Sequence, residues 1–129
     1  MPVGVPWRDA HVRSGPRQDA AVWEEHLACC TQLLALRQEF APGVSTVIAG
    51  DFNQRIPRAR QPARVEAALN AALAGMTVWT RGETACGPLI DHIAASDDFA
   101  ADSVEPWHGH DDHGRLSDHA GVACTLHRI

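Results

Sequence analysis

The sequence predicts an α/β or α+β domain, on three observations. Two amphipathic helical patterns alternate with several short apolar runs. The length, 129 residues, suffices for one core and not for two. Hydrophobic residues make up 45% and charged ones 21%, which argues against intrinsic disorder. The basic residues number 11 and are all Arg; with 16 acidic residues the formal charge is -5. An acidic chain of this kind does not coat nucleic acid through a broad basic surface, although it can still grip a single phosphate locally.

Taken in order, residues 3–7 read as the end of a strand, and 8–16, with Gly15-Pro16, as a loop. A helix is expected over about 17–40, with Trp23, Leu27, Cys30 and Leu34 on one apolar face and Pro42-Gly43 as its stop. Trp23 is assigned to the core. Residues 44–50 form a short apolar run that reads as a strand buried on both faces. It delivers Asp51-Phe52-Asn53 at its carboxyl end, where ligand crevices of α/β sheets tend to lie. A second helix is expected over 62–73, from Val65, Leu69 and Leu73 at steps of four, stopped at Gly75. Strands are expected at 77–80 and 89–94, a short edge strand at 103–107, a polar loop over 108–117 and a closing strand over 120–129.

The four Cys show no C-x-x-C spacing and read as small buried hydrophobes in a reducing compartment. No apolar run approaches the roughly 18 residues of a membrane span, and the start lacks the pattern of a signal peptide. A cytoplasmic protein without membrane contact is the expectation.

Three segments place acid, amide or imidazole groups at strand ends: Gly50-Asp51-Phe52-Asn53, Ile90-Asp91-His92-Ile93 and Ser117-Asp118-His119. An Asp in an apolar strand is costly to bury without a partner, so Asp91 needs a donor, and His119 is the candidate. A carboxylate-bound imidazole can act as a general base or as a donor to a transition state near neutral pH. Asp51 and Asn53 alternate, so on extended backbone their side chains would share one face. Asp118 adds a hard oxygen ligand suited to Mg²⁺. His92, next to Asp91, is expected on the opposite face of the strand. The run from His108 through His110 and His113 reads as a solvated loop, with a small transition-metal module as the lesser alternative. Of Arg55, Arg58, Arg60 and Arg64, at least two are expected to be plain surface residues, and the others could steer an anionic substrate.

The ordered set G-D-F-N, I-D-H-I and S-D-H resembles the endonuclease/exonuclease/phosphatase family, which includes DNase I-like nucleases, abasic-site endonucleases and inositol phosphatases. The resemblance implies the C-terminal part of a DNase I-like four-layered α/β sandwich, with a mixed sheet and two main helices. It covers mainly residues 44–129 and implies a single truncated domain over 1–129, because the preceding half of such a domain and its metal-binding Glu have no counterpart here. It implies Mg²⁺- or Mn²⁺-dependent hydrolysis of a phosphodiester or phosphomonoester, nucleic acid being one substrate option. By this match His119 is the imidazole at the scissile phosphate and Asp91 orients it. Asp51 is the acid at the attacking water, Asn53 the amide positioning that acid and the phosphate, and Asp118 lies on the metal side. The alternative is a non-catalytic fragment or interaction module of the same half-fold. A half-sandwich would leave a sheet face uncovered, and self-association through that face is then expected.

Overall fold

A computed structural model describes residues 1–8 and 22–129. The start of the expected first helix, residues 17–21, lies outside the described residues. In chain order the elements are β1 (Pro2–Gly4), α1 (Glu24–Gln38), β2 (Val47–Asp51), α2 (Ala63–Ala72), β3 (Met76–Val78), β4 (Asp91–Ser96), β5 (Phe99–Trp107), β6 (His110–Asp111), β7 (Gly114–Arg115) and β8 (Gly121–Arg128). This is a mixed α/β architecture. Its main sheet has the strand order β1-β2-β4-β3, with β1 parallel to β2 and both β2 and β3 antiparallel to β4. β5 and β8 pair as a separate antiparallel ribbon, and β6 and β7 form a small hairpin within the polar 108–117 segment.

The helices lie on one face of the sheet. Register sets Ile48 opposite Ala94, both fully buried, and they pack with Phe52, just beyond β2, and with Cys30, Leu33, Leu69 and Leu73 of the helical layer. Burying such side chains contributes about 1.5–3 kcal/mol each before the entropy of ordering is set against it. Arg37, in the last turn of α1, donates to the carbonyls of Ala72 at 2.6 Å and Ala74 at 3.0 Å. It thereby satisfies carbonyls that the end of α2 leaves without helical donors.

β1 approaches β2 most closely at Gly50, where φ is +148° and an added Cβ would lie 1.9 Å from the Val3 carbonyl oxygen. Only glycine permits that approach. The expectation that β2 is buried on both faces is corrected: Ile48 is buried, but Val47, Ala49 and Asp51 are half-buried on the face away from the helices. The strand expected at 103–107 is also longer than the sequence indicates. It begins at Phe99 and passes through Pro106, which faces Val122 in a two-stranded ribbon where every strand is an edge and tolerates proline. Trp23 is not a core residue; it is partly exposed and starts α1 with φ 76°. Among the described residues no helix is long and apolar enough to cross a membrane.

Candidate functional site

Asp51 is the last residue of β2 and Asp91 the first of β4, and the register of the antiparallel pair sets them directly opposite one another. Opposed residues share a face of the sheet with their Cβ atoms only about 4.5–5.5 Å apart, and like charges so placed repel. Two groups offset that repulsion. His119, between the small β6–β7 hairpin and β8, brings Nδ1 to 2.6 Å from Asp91 Oδ2. Asn53 donates to the Asp51 carboxylate twice, from its backbone N–H to Oδ1 at 2.8 Å and from Nδ2 to Oδ2 at 3.2 Å. The same Nδ2 also reaches the Val5 carbonyl at 2.6 Å. Asn53 takes φ 49° to do so, a left-handed conformation that Asn tolerates better than most residues.

The imidazole of His119 titrates above its ordinary value. Partial burial alone would lower it, but the hydrogen bond and charge of Asp91, reinforced by Asp51 and then Asp118, outweigh that cost. The Nδ1 contact with Asp91 thus favours the charged, donating form of His119. The donor atoms of Asp51, Asp91 and His119 lie within 4.8 Å of one another. This is the one group of three or more acid, imidazole or thiol side chains with converging donor atoms among the described residues. Its two carboxylates are hard oxygen donors of the type that divalent cations such as Mg²⁺ and Mn²⁺ accept. The group is therefore compatible with a divalent metal.

The structure thus brings four of the five expected residues together: Asp51, Asn53, Asp91 and His119. Asp118 stands at the rim. Its side chain is 80% exposed, its Oδ1 is 3.9 Å from His119 Nε2, and it does not join the converging group. A cleft of about 470 Å³ opens beside Asp91 and His119, with Ala49, Ile93, Trp107 and Val122 among its walls. His108, His110 and His113 form no group with converging donor atoms among the described residues, and the 108–117 segment expected as a loop holds the β6–β7 hairpin.

The scaffold beneath this site carries almost no local signature in the sequence. His92 points to the opposite face, as expected, and is buried in the core. Its Nε2–H donates to the Gln54 carbonyl at 2.8 Å, and its Nδ1 accepts from Thr80 Oγ1 at 2.9 Å. His26 is fully buried on α1; its Nδ1–H donates to the Pro6 carbonyl at 2.7 Å, and its Nε2 accepts from the Gln54 side-chain amide at 2.8 Å. Gln54 also donates to Val65 O at 3.1 Å. A carbonyl can only accept, so both tautomers follow from their partners. Burial lowers the pKa of both imidazoles, against the smaller opposing effects of their backbone hydrogen bonds and the Asp charges, and holds them neutral. Gln54, held from two sides, anchors the turn that presents Asp51 and Asn53. The one sequence signal for this was spacing: His26, Cys30 and Leu33 recur at steps of four and three on α1.

No protein-family profile matches the chain, and no curated protein matches it. Among solved structures, the chain is similar to an endonuclease/exonuclease/phosphatase family protein from Bacteroides thetaiotaomicron, at 14% identity and a TM-score of 0.46. The match covers 79% of this chain and 44% of that one, so the chain spans less than half the length of that protein.

Proposed function

We propose that the Asp51–Asn53–Asp91–His119 cluster is the site of a divalent-metal-dependent phosphoester hydrolase, built on part of a four-layered sandwich. The observation that carries this reading is the convergence of two opposed carboxylates with one carboxylate-bound imidazole at the ends of β2 and β4. Each residue then has a task. Asp51, with its carboxylate oriented by Asn53, accepts the proton of the attacking water. Asp91 fixes the ring of His119 and keeps its proton in place, so that the imidazolium stabilises charge on the phosphoryl oxygens. Asp51 and Asp91 would hold Mg²⁺ or Mn²⁺, which when bound supplies charge neutralisation at the phosphoryl group. Asp118, at the rim, can approach that cation from the solvent side.

The test is hydrolysis of bis(p-nitrophenyl) phosphate by the purified chain with added Mg²⁺ or Mn²⁺. Asp51→Ala, Asp91→Asn and His119→Ala should each cost about 10²–10³ in kcat while thermal unfolding stays cooperative. A wild-type chain that is inactive with either metal, or activity unchanged in all three variants, would refute the assignment.

A further inference from the structure

We infer that Gly109 and Ser117 are positioning residues of the site: they act through His119, whose ring they set against Asp91, and their meaning for catalysis rests on the proposed function. The ring of His119 has one hydrogen bond among the described residues, from Nδ1 to Asp91 at 2.6 Å. A side chain held by one bond points where its backbone aims it, so the path of the chain just before β8 decides whether the pair forms.

That path is set by two ladders that are out of step. The β5–β8 ribbon ends with Trp107 opposite Gly121, and two residues further in the same register Gly109 faces His119. The next ladder, β6 with β7, sets His110 opposite Arg115. One side therefore runs straight from Gly109 to His110, whereas the other holds Leu116, Ser117 and Asp118 between Arg115 and His119. Residues in excess on one side of a pair bend the chain and re-aim its side chains.

Gly109 pins this excess. Its carbonyl accepts from the N–H groups of Leu116 at 2.7 Å and Ser117 at 2.9 Å. An added Cβ there would lie 2.3 Å from the His119 carbonyl oxygen and 2.5 Å from that of Ser117. Both obstacles are backbone, which cannot swing aside as a flexible side chain does, so the close approach requires glycine. Ser117 ties the bend from within, its Oγ accepting from the His119 N–H at 3.0 Å. On the far side of His119, Gly121 lies under the indole of Trp107, where a Cβ would come within 2.4 Å of the ring. His119 is thus gripped before and behind. Asp118 belongs to the excess stretch, and its side chain stays 80% exposed.

The experiment is long-range proton–nitrogen NMR of the imidazole rings in the full chain, in EDTA at about pH 8.5, where an unbound imidazole is neutral. His119→Ala identifies the ring. A carboxylate can only accept, so Nδ1 of wild-type His119 should carry a proton whether the ring is charged or neutral. Gly109→Ala should release the ring into the mixed tautomers of an exposed histidine while thermal unfolding stays cooperative. Ser117→Ala should move it the same way, and Ser117→Thr, which keeps the oxygen, should retain the wild-type ring. Gly4→Ala, where an added methyl group meets nothing within 4 Å, should leave it unchanged. In hydrolysis of bis(p-nitrophenyl) phosphate, Gly109→Ala should lower kcat by about tenfold to a hundredfold, the order that a small misplacement costs, with KM little altered. Added to His119→Ala, it should cost nothing further. A wild-type ring without a proton on Nδ1, a folded Gly109→Ala chain with the wild-type ring, or losses that multiply in the double variant would overturn the inference. Where Gly109→Ala does not fold, an unmoved ring in Ser117→Ala overturns it. A displaced ring in a chain whose wild type hydrolyses nothing removes the proposed reaction and leaves the positioning. Hydrolysis that Gly109→Ala leaves unaltered removes the positioning alone.

Discussion

Lowering the pH should destabilise this protein in a window set by its two buried imidazoles. His26 and His92 are 0% and 1% exposed, and burial depresses the pKa of both. In the unfolded chain each takes up a proton around the ordinary value of 6.5, whereas in the fold each is held neutral. The unfolded state therefore binds more protons, and stability falls as the pH drops below that value. Each histidine contributes a slope that is about half of 1.4 kcal/mol per pH unit at 6.5, approaches the full value below it, and ends where the depressed folded values are reached. His119 acts in the opposite sense: its folded pKa is raised, so its contribution is complete below 6.5 and is lost as the pH rises through the folded value. Asp98, hydrogen-bonded to Ser45 and Ser96, is depressed below 3.8 and titrates outside the window. The assay is urea unfolding followed by tryptophan fluorescence, in EDTA, across pH 8 to 5. His26→Gln should halve the acid slope. A free energy of unfolding that does not fall between pH 7 and 5 would refute the neutral, buried assignment of both rings.

Three further outcomes follow from the geometry. Gly50→Ala places a Cβ 1.9 Å from the Val3 carbonyl oxygen, so it should separate β1 from β2 and cost about 3 kcal/mol or more, read by chemical denaturation. Trp79 Nε1 is buried without a hydrogen-bond partner among the described residues, so Trp79→Phe removes an unmet donor and should change stability by less than about 1 kcal/mol, a small shift in Tm. Asp91→Asn removes the principal group that raises the His119 pKa, so an NMR titration should show that ring returning downward toward or below 6.5; an unmoved titration would dissociate the pair.

Much of this fold was legible because burial left a period in the sequence. The spacing of Val65, Leu69 and Leu73, with Gly75 beyond, placed the second helix at 62–73, against the observed Ala63–Ala72. The first helix shows where that signal fails. Its apolar positions Trp23, Leu27, Cys30 and Leu34 mark a face one step away from the buried stripe of His26, Cys30 and Leu33. The reason is chemical: an imidazole enters the core only when both nitrogens are satisfied, and the partners of His26 are Pro6 and Gln54, 20 and 28 residues distant in sequence. No local pattern encodes such a pairing. The small β6–β7 hairpin was hidden for a different reason, since all four of its residues are exposed and leave no alternation to read.

The site was more legible than its support, and the register explains why. A strand that ends in Asp shows its polar terminus whatever it pairs with, so Asp51 and Asp91 could be read one segment at a time. Their opposition across β2 and β4 is a property of pairing, and it turns two ordinary strand ends into a like-charged pair that calls for donors. His119 answers that requirement from a segment 28 residues beyond Asp91, and Asn53 answers it from two residues beyond Asp51. Asp118 remains at the rim because the neighbouring residue is the one drawn inward to Asp91. The polar groups that converge here are thus fixed by strand register above and by the Gln54 anchorage below, and a change to either should move the carboxylates before it unfolds the sheet.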